Sequence, residues 1–253
     1  MCYLARMSHP KKFMLAVLLW ATALHAQEGG DIQAQILYAY HTEDTNSLMN
    51  LIQEMSAKLK DAPDDGALRY HLAHAQYRLG ELSAAGASHA AEPAYSECID
   101  DLKPLLKKDV KSAEAFILQA ACYGALADLS SVQAVLLRSR AADRLETAAK
   151  LDPRNPRLLL IEATLGLERS KADTVQHRQA LAQLNMAAQE FDTSSATRVD
   201  VPGWGHAEGY LAMGRSRLAL GDWVGARNWI EKSLIAAPDY KAAQRQLDSL
   251  GKR

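Results

Sequence analysis

The strongest constraint on this chain is the spacing of its small and turn-forming residues near the C-terminus. Gly214 precedes the pair Gly221-Asp222, Ala226 follows in the next segment, and Pro238 ends it. A glycine facing an alanine lets two helices approach closely, glycine with aspartate favours a tight turn, and proline ends a helix. The spacing therefore predicts two short antiparallel helices packed at close range.

The two helices of this C-terminal unit are predicted at residues 207–220 and 223–236. Pro238 stops the second helix and directs the chain into a third, at 241–250, which is amphipathic and has a charged outer face. A polar outer face suits the last helix of a stacked array, because no further helix covers it. We therefore expect 241–250 to be a C-terminal capping helix.

The interior of the protein is predicted to consist mainly of alanine and leucine. Apolar residues make up 48% of the 253 residues but aromatic residues only 6%, a balance that favours helices. No run of alternating β-branched and polar residues is long enough to indicate a strand. The expected fold class is all-α, built from stacked antiparallel helix pairs.

The segment 207–240 resembles a tetratricopeptide repeat (TPR), a helix pair that recurs with a period of about 34 residues. Gly214 matches the small residue of the first helix, Gly221 opens the Gly-Asp-aromatic turn, Ala226 lies on the second helix and Pro238 at the exit. Arg217 stands where the family has an aromatic residue. The resemblance implies a TPR-like α-solenoid that binds other proteins along its concave face.

Earlier segments carry weaker copies of the same pattern. Ala141, Ala148 and Pro153 match a second helix and its exit proline. About four helix pairs are therefore expected within 27–253, with further helix before and after them. Residues are inserted relative to the family between the helices, so we expect longer helices and a distorted array instead of a regular superhelix; the insertions lie around 82–93, 128–136, 171–177 and 191–206.

The first 26 residues have the layout of a secretory signal. Lys11-Lys12 precede an apolar run at 13–20, and the small residues Ala21, Ala23 and Ala26 follow it. The run is short for a bilayer span, so we predict removal after Ala26 or Ala23 and a periplasmic or secreted protein without stable membrane insertion. The alternative is a retained membrane anchor. The sequence contains no lipobox, because Cys2 precedes the apolar run.

Removal of residues 1–26 leaves 26 basic and 30 acidic residues, a net charge of −4. This charge disfavours nucleic acids and anionic lipid surfaces as partners. Two cysteines remain, Cys98 and Cys122, on helices that are expected to be neighbours. They either form a disulfide in an oxidising compartment or remain two small buried side chains.

Candidate partner-binding residues come from projecting the repeats onto the concave face. Tyr70, His74 and Tyr77 fall on this face in the first unit, and Leu211 and Arg215 in the last. Aromatic and basic side chains suit an extended peptide, through apolar contact and charge-assisted hydrogen bonds. The alternative is that the tyrosines only pack against neighbouring helices.

The remaining motifs do not indicate catalysis. His71 and His74 lie one helical turn apart, but no third ligand is evident, so no metal site is predicted. Trp204 is either a binding anchor or a loop side chain folded back over a helix pair. The sequence contains no nucleophile motif and no phosphate-binding glycine loop. We therefore expect no enzymatic activity and no cofactor.

Taken together, these features predict an interaction scaffold or adaptor of the bacterial cell envelope that binds an unidentified protein or peptide. The alternative is a periplasmic protein that binds a small molecule or lipid in a pocket between helix pairs.

Overall fold

A computed structural model describes residues 31–87, 89–170, 174–194 and 202–251 of the chain. Eleven α-helices and no strand occur in this part of the chain, which confirms the all-α prediction. Helix α1 covers 31–41. The others are α2 (Thr45–Asp61), α3 (Gly66–Ala85), α4 (Ala91–Lys108), α5 (Ala113–Leu129), α6 (Ala134–Leu151), α7 (Pro156–Ser170), α8 (Thr174–Ser194), α9 (His206–Ala219), α10 (Trp223–Ala236) and α11 (Lys241–Gly251). The predicted signal sequence, 1–26, lies outside the described residues.

Several helices begin where an aspartate side chain caps the first turn. The carboxylate of Asp65 accepts a hydrogen bond from the backbone amide of Leu68 at 2.9 Å, and that of Asp222 accepts one from Gly225 at 2.9 Å. Each bond satisfies an amide that has no partner within its own helix. The starts of α3 and α10 are therefore encoded locally.

Consecutive helices pack as four pairs: α3 with α4, α5 with α6, α7 with α8, and α9 with α10. Helix α2 packs on α3 at one end, and α11 packs on α10 at the other. This is the expected stack of helix pairs with a C-terminal capping helix. Two insertions are largely absorbed by longer helices, since α3 continues to Ala85 and α5 to Leu129.

The last pair shows why its small residues are needed. A Cβ atom on Gly214 would lie 2.6 Å from Cγ1 of Ile230 and 3.2 Å from the backbone oxygen of Ala226. Gly221 turns the chain between α9 and α10 with φ of 80°, a left-handed conformation that favours glycine. Pro238 lies just beyond the end of α10. Close approach and a tight turn together define this unit.

The second pair contains the other packing residues, and a disulfide ties it to the first pair. Ala141 and Ala148 are buried on α6, and Pro153 follows the end of that helix. Cys98 of α4 and Cys122 of α5 are joined by a disulfide, with 6.4 Å between their Cα atoms. The bond links the first pair to the second within the largest apolar cluster.

The two ends of the described array contact each other. The hydroxyl of Tyr40 in α1 lies 3.4 Å from that of Tyr240, just before α11. Both carboxylate oxygens of Glu43 accept hydrogen bonds from the guanidinium of Arg245 in α11. Leu37 of α1 packs against the cluster formed by α3 to α7. Helix α1 therefore spans the side of the array that the first helices of the pairs line.

Candidate functional site: the inner groove

The inner groove is the space bounded by α1, α3, α7, α9 and the loop 202–205. In an open helical array this side is available to a partner, whereas here α1 and the loop occupy it. The cavity that remains has a volume of about 160 Å³ and is lined by polar and aromatic side chains, among them Tyr40, Tyr77, Thr164, Arg215 and Tyr240. The groove is therefore mostly filled by the protein's own chain.

Arg78 of α3 is the buried centre of the groove. Its Nη1 donates to Glu81 and its Nη2 to Glu208, both at 2.7 Å, while its Nε donates to Nε2 of His74 at 3.1 Å. The guanidinium also lies 4.2 Å from the ring centroid of Tyr40. A buried charge is costly unless it is paired. This one contacts α1, α3 and α9 and so holds the three helices together.

Glu208 completes the contact between α9, α3 and α1. Its Oε2 accepts a hydrogen bond from the backbone amide of Gly205 at 3.0 Å, and its Oε1 lies 3.6 Å from Nε2 of His41. Burial alone raises the pKa of this carboxyl, but the Arg78 guanidinium and His41 lower it by more, so the net pKa lies well below its usual range. Glu208 is therefore ionised at neutral pH.

Trp204 enters the groove from the loop before α9. Its ring stacks on that of His74 with centroids 5.4 Å apart, and its Nε1 donates to the Tyr70 hydroxyl at 2.9 Å. Burial and the Arg78 guanidinium lower the pKa of His74 well below its ordinary value, which agrees with Nε2 acting as an acceptor. Of the two readings that the sequence left open for Trp204, the structure has the one in which the side chain folds back.

Arg157 of α7 holds the loop in position. Its Nε and Nη2 donate to the two carboxylate oxygens of Glu114 in α5 at 2.7 and 2.8 Å, and its Nη1 donates to the backbone oxygen of Pro202 at 2.6 Å. The side-chain amide of Asn155 donates to the same carboxylate at 2.7 Å. Bidentate pairs restrict both distance and orientation, so α5, α7 and the loop are firmly connected.

The five residues predicted to bind a partner differ in accessibility. Tyr70, His74, Tyr77 and Leu211 lie at the inner groove, but the protein's own chain buries them. Arg215 is exposed at the edge of the cavity. Of the two alternatives that the sequence left open for Tyr70 and Tyr77, the structure has the one in which they pack against neighbouring helices, because helical projection locates a face and does not show what covers it. Partner contact through Arg215 stays a prediction.

Sequence reasoning did not identify the charged residues that hold the groove together. Glu208 occupies the third position of α9, where a glutamate often caps a helix, so its local contact could have been expected. Its ion pair with Arg78 joins residues 130 positions apart. The pair of Glu114 with Arg157 has a separation of 43 positions. Contacts of this range leave no periodic signal in one sequence.

Neither a metal centre nor a membrane span is found in the described part of the chain. Among these residues, no three His, Cys, Asp or Glu side chains meet in a group that could hold a metal ion. No helix described here has the length and apolar character needed to cross a membrane. His71, which lies one helical turn before His74, has a pKa that is lowered by burial.

Comparison with known proteins identifies the fold. No protein-family model matches the chain, and no curated protein matches its sequence. A thermophilic TPR protein of Thermus thermophilus has a similar structure, with a TM-score of 0.64 and 19% identity over 90% of this chain and all of that one. A TPR protein from Parabacteroides merdae is similar more loosely, with a TM-score of 0.31 and 14% identity over 87% of this chain and 98% of that one. The similarity to the Thermus thermophilus protein shows that the chain has the fold of a TPR protein.

Proposed function

We propose that this protein is an exported interaction scaffold of the bacterial cell envelope, which binds a protein partner and performs no chemistry itself. The observation that carries the proposal is the closed and cross-braced array of helix pairs. Buried ion pairs at Arg78 and Arg157 hold helices that are distant in sequence. Such an array presents side chains at well-defined positions, which is what a scaffold requires.

Two features support export. The N-terminal 26 residues have the layout of a secretory signal. The disulfide between Cys98 and Cys122 belongs in an oxidising compartment, because cytosolic thiols are kept reduced. Periplasmic or secreted localisation follows as part of the proposal, and N-terminal sequencing of the fractionated protein tests it. A new N-terminus after Ala23 or Ala26 supports export, and an intact N-terminus in the cytosol contradicts it.

The partner is proposed to bind the accessible surface while the inner groove stays closed. Arg215 is the predicted contact that remains exposed. Proximity labelling in envelope fractions should recover one enriched partner, and Arg215→Glu should reduce its recovery. Arg154→Glu is a matched control, because Arg154 is also exposed and pairs only with half-buried Glu190 in the described contacts. Recovery of no partner, together with turnover of a substrate by the purified protein, would overturn the scaffold proposal.

The remaining cavity supports a second candidate, a protein that binds a small molecule. Its volume of about 160 Å³ is below the roughly 300–1,000 Å³ of most ligand pockets. A lipid chain is therefore a poor fit, and a polar molecule of a few non-hydrogen atoms is the better one. Native mass spectrometry distinguishes the candidates: a retained small ligand favours this one, and an unliganded mass favours the scaffold.

A further inference from the structure

A second groove lies on the outer side of the array, between the second helices of two neighbouring pairs. We call it the outer groove: α4 and α6 form its walls, α5 forms its floor, and its volume is about 300 Å³. It is lined by Lys103, Lys107 and Arg144, with Leu106 and Phe116 between them. Unlike the inner groove, it is not covered by any other described segment.

All the charged side chains that line the outer groove are positive. Lys103 also contacts Asp100 on the outside of α4 at 2.6 Å, in a pair that is highly exposed and hence weak. Arg144 lies over the Phe116 ring, 5.6 Å from its centroid. No ion pair of Lys107 or Arg144 is found among the described residues. Three cations around an apolar floor attract a ligand that is both anionic and apolar.

The floor supplies two further features. Val110, in the turn between α4 and α5, lines the groove and is 63% exposed. Gln119 of α5 is buried at the base, where its Nε2 donates to the backbone oxygen of Ile99 at 3.1 Å. Its Oε1 has no hydrogen-bond partner in the described structure. Since Gln119 is fully buried, this acceptor lies beneath the groove, and Val110 is the apolar lining side chain that offers a ligand the most accessible surface.

We infer that the outer groove binds an acidic segment of a partner protein that contains apolar side chains. Carboxylates of the segment pair with Lys103, Lys107 and Arg144, and its apolar side chains cover Leu106, Val110 and Phe116. This inference rests on the proposed scaffold function and names the chemistry of one partner surface.

A protein segment fits this groove better than an anionic membrane does. The whole sequence carries 30 acidic and 29 basic residues, so the local positive charge is not part of a broadly basic surface. A flat membrane needs such a surface, whereas an extended chain can enter a groove.

The test uses the full chain after export and a synthetic peptide of about a dozen residues that alternates glutamate with leucine. Fluorescence anisotropy should detect binding that weakens about tenfold or more between low and high salt, as expected for several charge pairs in an open groove, where dissolved ions screen them. The triple variant K103E/K107E/R144E should lose binding. Its matched control is K150E/R227E/K241E, which changes the net charge equally at exposed cations outside the groove and should bind normally.

Three results would overturn the inference. Both triple variants could lose peptide binding equally, or the same peptide with glutamine in place of glutamate could bind as tightly. The third is that the protein binds only vesicles that contain an anionic phospholipid and not the peptide. Proximity labelling tests the scaffold proposal separately. If proximity labelling still recovers a partner with K103E/K107E/R144E but not with Arg215→Glu, the scaffold stands and the outer groove is not its binding site.

Discussion

The inner and outer grooves both place an arginine over an aromatic ring, but they differ in how that charge is satisfied. In the inner groove, Arg78 lies over Tyr40 and pairs with Glu81 and Glu208 at 2.7 Å. In the outer groove, Arg144 lies over Phe116 with no carboxylate among the lining residues. Paired charges in a buried place hold a fold together, whereas unpaired charges at an open place are available to a ligand.

The largest expected effect comes from removing the buried charge of the inner groove. Arg78→Met should lower the free energy of unfolding by about 3–5 kcal/mol, because Glu208 remains buried without its partner. Urea unfolding followed by circular dichroism measures the change. Arg154→Met breaks an exposed pair and should cost at most about 1 kcal/mol. Equal effects of the two substitutions would remove the contrast between buried and exposed charge.

Removing Trp204, the loop side chain that fills the inner groove, should lower the free energy of unfolding almost as much. Trp204→Ala is expected to destabilise by about 3 kcal/mol or more, since it leaves a cavity beside His74 and an unpaired Tyr70 hydroxyl. Trp204→Phe keeps most of the apolar contact and loses the indole donor, so it should cost about 1 kcal/mol. Thermal unfolding of both variants separates the contribution of packing from that of the hydrogen bond. A neutral alanine variant would mean that the loop does not fill the groove in solution.

The disulfide should stabilise the outer groove more than the inner one, because Cys98 and Cys122 belong to its wall and floor helices. For a separation of 24 residues, the double change to serine should cost about 3 kcal/mol. Hydrogen exchange should show the greatest loss of protection in α4 and α5. Uniform loss over the whole array would contradict this local effect.

The smallest effect, taken per pH unit, is a pH dependence that belongs to the inner groove. The folded pKa of His74 is lowered, so the unfolded chain binds a proton first as the pH falls, and stability decreases below about 6.5. The contribution of Glu208 is present above about 4.3 and is lost at lower pH, since its folded pKa is lowered too. Each group contributes at most about 1.4 kcal/mol per pH unit.

Unfolding midpoints measured from about pH 8 to 4 test this order of events. His74→Gln should reduce the slope near pH 6 and leave the loss near pH 4 unchanged. A midpoint that stays constant between pH 7.5 and 5.5 in the unsubstituted protein would show that His74 titrates normally, and hence that it is not buried beside Arg78.

The sequence by itself determined the all-α class, the four helix pairs, the capping helix and the close contact at Gly214. These features depend on residues within one or two helices, where spacing and local turn chemistry act directly. For Cys98 and Cys122, the sequence left two alternatives, a disulfide or two small buried side chains. Only the tertiary structure decided that the inner groove is filled, because the Trp204 contact with Tyr70 spans 134 positions. Pairing over such distances depends on how whole helices stack, and no local pattern records it.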